Sequence, residues 1–206
     1  MSFDSLAPHY RWLERVLAGG ALQEARLAHL AKLDQADNIL LIGEGPGRFL
    51  GPLRMRRPDV PITVIDASVK MLEAARAKGS GPTTFTRLNL PQEPLPLAQW
   101  DAIVTHCFLD CFAPDTLSAV IDRISSAAKP EARWLITDFT LPESGWRRTR
   151  ARMAHALMYR TFRAATQLEA RHWTDPASDL HRVGFQLAQR ESFNHGLVHA
   201  DHWMRS

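Results

Sequence analysis

A glycine-rich loop and the acid that follows it are the residues best suited to binding a ligand. The loop, Gly43-Glu44-Gly45-Pro46-Gly47, comes directly after the apolar run NILLI, and Asp66 ends a second apolar run nineteen residues after Gly47. Glycines at the end of a buried strand let the backbone approach a ligand closely, and a carboxylate ending the next strand can accept hydrogen bonds from ribose hydroxyls. The spacing predicts a site for a nucleoside-containing cofactor.

Residues within the loop favour one kind of nucleoside cofactor over another. A dinucleotide site prefers Gly-x-Gly-x-x-Gly, with a helix N-terminus facing a pyrophosphate, but the sixth position here is Arg48. The Glu44 carboxylate would repel a pyrophosphate, whereas it suits a cation that carries a sulfonium and an amino group. The loop therefore favours S-adenosylmethionine over NAD, and an NAD-dependent oxidoreductase is the alternative enzyme.

Two polar residues that follow the apolar run at 102–104 are the candidates for catalysis. These are His106 and Asp110, and histidine is the side chain whose ordinary pKa suits proton removal near neutrality. Methyl transfer from a sulfonium depends mainly on positioning, and it needs a base only when the acceptor atom carries a proton. His106 is our preferred base, and a packing role for its ring is equally open.

Strands and helices alternate along most of the chain. Short apolar runs predict strands buried on both faces, and the segments between them carry helical spacing or helix caps. The predicted strands are 38–42, 62–65, 83–88, 102–104 and 134–137. Helices are predicted at 48–57, 68–79 and 117–124, and two short helices, interrupted at Gly19-Gly20, within 11–33. Such alternation predicts an α/β doubly wound sheet, mostly parallel, which gathers the loop, Asp66 and His106 at the carboxyl ends of its strands.

The C-terminal part departs from this alternation. Residues 185–193 and 197–203 are predicted strands joined by Asn194-His195-Gly196, and such a short turn permits only antiparallel pairing. The segment 146–168 carries an apolar helical stripe that either packs against the sheet or covers a pocket for an apolar molecule. The candidate substrate contacts are Asp138, Trp146, Arg147, Met158 and Tyr159.

Composition and charge restrict the classes of function. The chain has 206 residues, 45% of them hydrophobic and 23% charged, as in an ordinary soluble globular protein. Its net charge is +3, without a long basic stripe interleaved with aromatics, which argues against a nucleic-acid partner. The arginines within 147–152 are nevertheless compatible with an anionic membrane surface. We expect a small-molecule substrate, and a monomer or homodimer.

Cysteine and histidine usage indicates the compartment and argues against a metal. Two cysteines, no long apolar run and no signal-peptide pattern predict a cytoplasmic protein. We interpret Cys107 and Cys111 as small buried hydrophobes. His199 and His202 would point to opposite faces of one strand, so we expect no metal site.

Several successive segments resemble the motifs of a known family. The segments ILLIGEGPGRFL, VIDAS, RLNLP, WDAIVTHCFLDCF and WLITDF look like those of class I S-adenosylmethionine-dependent methyltransferases, and the opening FDSLAPHY is similar to the start of their quinone-biosynthesis-like branch. The resemblance covers nearly the whole chain. It implies a Rossmann-like sheet of seven strands and methyl transfer to an O, N, S or C atom of a small, fairly apolar metabolite, with S-adenosylhomocysteine as product.

The resemblance also implies a domain plan and a set of cofactor contacts. We expect one domain over 1–206, with an N-terminal helical cap at 1–36 and a lid-like insertion at 142–175. The residues expected at the cofactor are Tyr10, Gly43, Glu44, Gly45, Gly47, Asp66, Ala67, Met71, Asn89, Leu90 and Thr105. Leu41 departs from the family pattern, which usually has an acid there. A non-catalytic scaffold protein with this fold is therefore a further alternative.

Overall fold

Seven strands form one sheet. The computed structural model describes residues 20–97, 99–165, 170 and 173–206, without the side chains at 159 and 161–165. The strands are β1 Ile39–Ile42, β2 Ile62–Asp66, β3 Thr83–Arg87, β4 Trp100–His106, β5 Ala128–Phe139, β6 Phe185–Phe193 and β7 Val198–Arg205. Their order across the sheet is β3-β2-β1-β4-β5-β7-β6. The predicted seven-stranded, doubly wound fold is confirmed.

The strand order creates a place for a ligand beside β1. This strand pairs in parallel with β2 on one side and with β4 on the other, so the chain winds outward in both directions from it. Ligands of open α/β sheets bind at such a switch point, outside the carboxyl ends of the strands. β7 runs antiparallel between β5 and β6, and the predicted C-terminal hairpin is confirmed.

Six α-helices are described in the same parts of the chain. They are α1 Ala21–Leu27, α2 Leu50–Arg56, α3 Val69–Arg76, α4 Pro114–Ala127, α5 Gly145–Ala165 and α6 Ala177–Arg182. Local sequence explains two starts: the Ser68 side chain accepts a hydrogen bond from the Met71 N–H at the start of α3, and Pro114 occupies the first turn of α4. None of the described helices is both long and apolar enough to cross a membrane.

Alternate residues of the central strands belong to two apolar layers, one on each face of the sheet. On one face Leu40, Ile103 and Trp134 pack with the apolar sides of α4 and α6. On the other face Leu41 and Val104 pack with α2 and α3. A third cluster joins α1 and α5 to the region where β5 ends and β7 begins. Both faces of the sheet are thus covered, and polar groups that need access to a ligand lie at its carboxyl edge.

The structure differs from the sequence-based expectation in the extent of several elements. α2 begins at Leu50 rather than at 48, β4 begins at Trp100, and β5 begins at Ala128. The early parts of β4 and β5 are joined across an irregularity between Trp100 and Ala102, which breaks the periodic pattern. The short helix α6 was not predicted, because six residues are too few for a helical period to show.

Candidate functional site

In the glycine loop after β1, Gly43 is packed against another side chain, whereas the space beside Gly45 holds no atom of the described residues. Gly43 and Gly45 have φ values of +67° and +60°, a left-handed conformation that favours glycine. A Cβ at residue 43 would lie 2.5 Å from Cδ2 of Phe108, whereas a Cβ at residue 45 would meet no atom within 4 Å. A ligand can therefore approach the backbone at Gly45. Sequence analysis missed Phe108, because an aromatic residue after a strand carries no distinctive signal.

Asp66 ties the end of β2 to this loop. Its Oδ2 accepts a hydrogen bond from the Gly45 N–H at 3.2 Å, and its Oδ1 accepts one from the Ser68 N–H at 2.9 Å. A carboxylate offers about four acceptor positions, so these two bonds leave capacity for the vicinal hydroxyls of a ribose. The side chain is only partly buried. Loop and acid are thus brought together as the spacing predicts.

Glu44 caps a helix with one of its oxygens. Its Oε1 accepts hydrogen bonds from the N–H groups of Phe49 and Leu50, both at 2.8 Å. These groups lie at the start of α2, where unpaired N–H groups and the helix dipole favour negative charge. Burial still raises the pKa of Glu44 to about 7. The predicted cofactor contact of Glu44 stays a prediction, and it must leave this Oε1 bonding in place.

Arg26 is a buried cation at the site that sequence analysis missed. It lies on α1 and is 6% exposed, and its Nη2 is 3.8 Å from Sγ of Cys107, directly after β4. Its charge opposes the rise that burial causes in the pKa of Glu44, and it adds to the lowering that burial causes in the pKa of His106. One arginine within an amphipathic helix gives no sign from sequence that it points inward. It brings positive charge to the same edge as the glycine loop.

His106 ends β4 in a buried, apolar setting. Its ring packs edge-to-face against Phe49, with centroids 4.7 Å apart. Among the described residues, Nδ1 has no hydrogen-bond partner. Burial, and next the charge of Arg26, hold the pKa of His106 well below its usual 6.5, so the imidazole is neutral at pH 7. Its role as a base stays a prediction.

Asp110, which follows β4, and Asp138, near the end of β5, form a buried acidic pair. Asp138 lies near the end of β5, where its Oδ1 accepts a hydrogen bond from the Phe108 N–H at 3.0 Å. Its Oδ2 has no partner among the described residues. Burial raises the pKa of Asp110 to about 6, and burial together with the neighbouring Asp110 raises the pKa of Asp138 well above 3.8. At neutral pH the pair favours a state that keeps a proton.

The neighbouring strand β7 adds further buried polar groups. His199 lies opposite Asp138 in the antiparallel pairing, and neither of its ring nitrogens has a hydrogen-bond partner in the described part of the chain. Burial lowers the pKa of His199 below 6.5. Asp201, two residues on, accepts hydrogen bonds from Arg190 at 2.7 and 2.6 Å. Sequence analysis missed this network because its members meet only through strand pairing.

The structure describes all of the other expected cofactor contacts except Tyr10, and their contact with a cofactor stays a prediction. Ala67 follows β2, and Met71 is buried in the first turn of α3. Asn89 and Leu90 follow β3 along the chain. Thr105 is different, because it is fully buried and its Oγ1 accepts a hydrogen bond from Trp134 Nε1 at 3.0 Å, so its side chain is turned into the core. Tyr10 lies outside the described residues.

The expected substrate contacts on α5 point in different directions. Met158 is buried and faces the core. Trp146 is 62% exposed, and the Arg147 guanidinium lies over its ring, with Cζ 5.9 Å from the centroid. The side chain of Tyr159 lies outside the description. Substrate contact at these positions stays a prediction.

Comparison with known proteins agrees with this geometry. Residues 40–134 match a family model described as a methyltransferase domain. A ubiquinone/menaquinone biosynthesis C-methyltransferase from Geotalea daltonii is 30% identical over 156 residues, covering 68% of this chain and 62% of that protein. A demethylmenaquinone methyltransferase from Deinococcus radiodurans is 29% identical over 148 residues, covering 69% and 61%. The chain thus spans about three fifths of the length of these curated relatives.

The fold is shared with solved methyltransferases. Magnesium protoporphyrin IX methyltransferase from Synechocystis PCC 6803, solved with bound S-adenosylhomocysteine, matches with a TM-score of 0.72 at 16% identity. The match covers 99% of this chain and 96% of that one. In sequence motifs, sheet order and relatives alike, the chain is similar to class I S-adenosylmethionine-dependent methyltransferases, and its residues 40–134 match a methyltransferase domain.

Proposed function

We propose that the chain transfers a methyl group from S-adenosylmethionine to an oxygen, nitrogen, sulfur or carbon atom of a small, fairly apolar metabolite. One observation carries the proposal: the open backbone at Gly45 is hydrogen-bonded to the Asp66 carboxylate. Close approach to the loop and a carboxylate for the ribose are the two features that a nucleoside cofactor needs here. S-adenosylmethionine supplies an activated methyl group on a sulfonium.

The residues of this edge fit such a cofactor. Gly43, Gly45 and Gly47 would lie against its methionine portion and Asp66 at the ribose, and the neighbours of Asp66 would lie at the adenine. Arg26 brings the positive charge that a carboxylate group attracts. Leu41 is 1% exposed and packs in the core, so the amino group must be held by other groups of the loop.

The surroundings of the carboxyl edge support an apolar acceptor. Phe139 at the end of β5, Met158 on α5 and Leu197 before β7 belong to one buried apolar cluster. Apolar walls with a few polar groups are typical of small-molecule sites. The two relatives are named for quinone biosynthesis, so quinone precursors are the first class of acceptor to test. The inward face of α5 would act as a lid over this region.

The acceptor must lose a proton if its reacting atom carries one. The bond from the acceptor atom to the methyl carbon forms as the sulfonium bond breaks, and the proton passes to a base. His106 has a neutral ring at pH 7, and Asp110 has a pKa of about 6. His106 ends β4, which pairs with β1, and Asp110 lies in the short turn after β4. Positioning and exclusion of water supply the rest of the rate acceleration.

The proposed compartment is the cytoplasm. Cys107 and Cys111, the two cysteines of the chain, are not joined by a disulfide, and reduced thiols suit a reducing environment. The substrate would then be a metabolite available there.

Titration calorimetry of the purified protein tests the cofactor before any acceptor is known. S-adenosylhomocysteine should bind with micromolar affinity, and NADH in a parallel cell should not. A panel of quinone precursors, phenols, amines and thiols would then be screened for methyl acceptance. Binding of NADH alone would overturn the proposal, and binding of neither ligand would favour a scaffold role.

A further inference from the structure

The outer face of α5 is apolar although it is exposed. Trp146 is 62% exposed, Met153 is 71% exposed and Leu157 is 59% exposed. Their spacing of seven and then four residues places them on one face of a helix. The buried residues of α5 lie on the other side, against the third apolar cluster. Large apolar side chains grouped at a surface indicate an interaction site.

The same helix carries an unusually one-sided charge. Residues 145–165 contain six arginines and no aspartate or glutamate, whereas the net charge of the whole chain is only +3. The side chains of Arg152 and Arg160 are exposed. An exposed apolar stripe with arginines around it and no acids is the composition of helices that lie in a membrane interface.

We propose that this outer face of α5 binds an anionic membrane surface, with the helix lying parallel to the bilayer. The arginines would be attracted to anionic headgroups, while Trp146, Met153 and Leu157 would enter the boundary between headgroups and acyl chains. The helix has 21 residues, a length of about 30 Å at 1.5 Å per residue, which provides a long contact with the surface.

Charge argues against a second copy of the chain on this face, and the apolar side chains argue against a nucleic acid. A second copy of the chain, related by a two-fold axis, would place arginine-rich helices against each other. A nucleic acid would match the charge and could stack on Trp146, but Met153 and Leu157 offer it neither stacking nor hydrogen bonds. An anionic bilayer matches both the arginines and the apolar stripe.

Binding in this way would bring the candidate site close to the bilayer. The inner face of α5 packs against Phe139 and Leu197, at the edge where β5 ends and where the acceptor is proposed to bind. An apolar acceptor dissolved in lipid would then have a short path to the site. The surface is separate from the cofactor loop, so membrane binding and methyl transfer can fail independently.

Vesicle co-sedimentation of the full chain provides the test. The protein would be mixed with vesicles of phosphatidylcholine alone and with vesicles containing one third phosphatidylglycerol. We expect binding to the anionic vesicles, weak binding to the neutral ones, and release as salt rises from about 0.1 M to 1 M and the screening length falls from about 10 Å to about 3 Å.

Two variants separate the apolar from the charged contribution. Met153→Ser with Leu157→Ser should weaken binding to anionic vesicles by about tenfold or more. Arg152→Gln with Arg160→Gln should weaken it by about 25-fold, since each arginine near the surface contributes about fivefold. The matched control is Met55→Ser with Leu97→Ser, which are 83% and 72% exposed elsewhere and should bind as the parent does.

Several outcomes would overturn the proposal. The first is a parent that binds neither kind of vesicle, or both equally. The second is equal binding by the parent and by both α5 variants. Sedimentation as a dimer that the Met153/Leu157 variant abolishes, or binding to duplex DNA in place of vesicles, would assign the face to another partner. Thermal unfolding checks that the variants fold, and S-adenosylhomocysteine affinity should be unchanged in all of them.

Discussion

The carboxylates at the carboxyl ends of β1 and β2 have different hydrogen-bond partners from those over β5 and β7. Over β1 and β2, Glu44 and Asp66 accept hydrogen bonds from backbone N–H groups of the loop and of the segments that begin α2 and α3. Over β5 and β7, Asp138 is buried close to Asp110, and Asp201 is held by a side chain on β6. The hydrogen bonds described at the first end come from the backbone, whereas the second end combines a backbone bond, from the Phe108 N–H to Asp138, with ionisable side chains.

This difference separates a ligand-holding region from a region sensitive to charge. Backbone donors are fixed by the fold and do not titrate, although the Glu44 carboxyl that accepts two of these bonds has a pKa of about 7. Side chains packed against each other depend on pairing and protonation, because a buried charge without a partner is costly. Substitutions over β5 and β7 should therefore change stability most, whereas those over β1 and β2 should change ligand binding most.

The largest expected effect is at the Arg190–Asp201 pair. Asp201 is 2% exposed, and both guanidinium contacts to it are 2.7 Å or shorter. Arg190→Leu leaves this buried carboxylate without its cation, so the free energy of unfolding should fall by about 4 kcal/mol in urea titration. The matched control is Arg182→Leu, which removes surface pairs to Asp122 and Asp179 and should cost about 1 kcal/mol or less. Equal losses would contradict the contrast between the two ends.

Much of the fold could be predicted because its signals are local. NILLI and ITVI are continuous apolar runs, and β1 and β2 are buried strands at those positions. Ser68 caps α3 as its residue type suggests. The irregular pairing at the start of β5 could not be predicted, because it depends on Trp100 meeting Ala128 across the sheet.

The residues of the candidate site likewise include some that could be predicted from sequence and some that could not. Asp66 and Gly45 could be matched from sequence, since a turn after one strand and an acid after the next reach the same edge in a parallel sheet. Arg26, Phe108 and His199 could not be found, because their inward directions are set by α1 packing, by the turn after β4 and by antiparallel pairing. Long-range contacts leave no periodic signal in the chain.

The next effect depends on pH and concerns the acidic pair. Burial raises the pKa of Asp110 to about 6 and that of Asp138 well above 3.8. Such a carboxyl binds its proton more tightly in the folded chain than in the unfolded chain. The folded protein therefore loses stability as pH rises from the unfolded pKa of the carboxyl through its folded pKa. Asp138→Asn should therefore match the parent near pH 4 and be more stable than the parent near pH 8.

Chemical unfolding at both pH values measures this difference. Comparing variant with parent at each pH removes the effect of His155 and His202, whose pKa values burial lowers to about 4 and whose protonation destabilises the fold as pH falls below about 6.5. The control is Asp201→Asn, an equally buried position that should lower stability because Arg190 loses its partner. A variant that is no more stable than the parent near pH 8 would show that Asp110 and Asp138 are not strained by their charges.

At the other end of the edge the expected effect is on ligand affinity. Asp66→Ala removes the proposed ribose contact, so S-adenosylhomocysteine should bind about 30-fold more weakly, or about 2 kcal/mol, by calorimetry. Asp101→Ala is the matched control, because Asp101 also accepts two backbone N–H bonds, at 2.8 and 2.9 Å, but at the opposite end of the sheet. The control should keep parental affinity. Equal affinity in both variants would remove Asp66 from the cofactor site.

The smallest effect tests whether the open face at Gly45 touches the ligand. Gly45 and Gly184 have φ values of +60° and +89°, and a Cβ at either would meet no atom within 4 Å. Each change to alanine should thus lower the free energy of unfolding by about 1 kcal/mol through backbone strain alone. Only Gly45→Ala should also weaken S-adenosylhomocysteine, because its new methyl group occupies the space through which the ligand approaches. If the two variants bind it equally well, the ligand does not lie against Gly45, and the contrast between a binding end and a charged end fails.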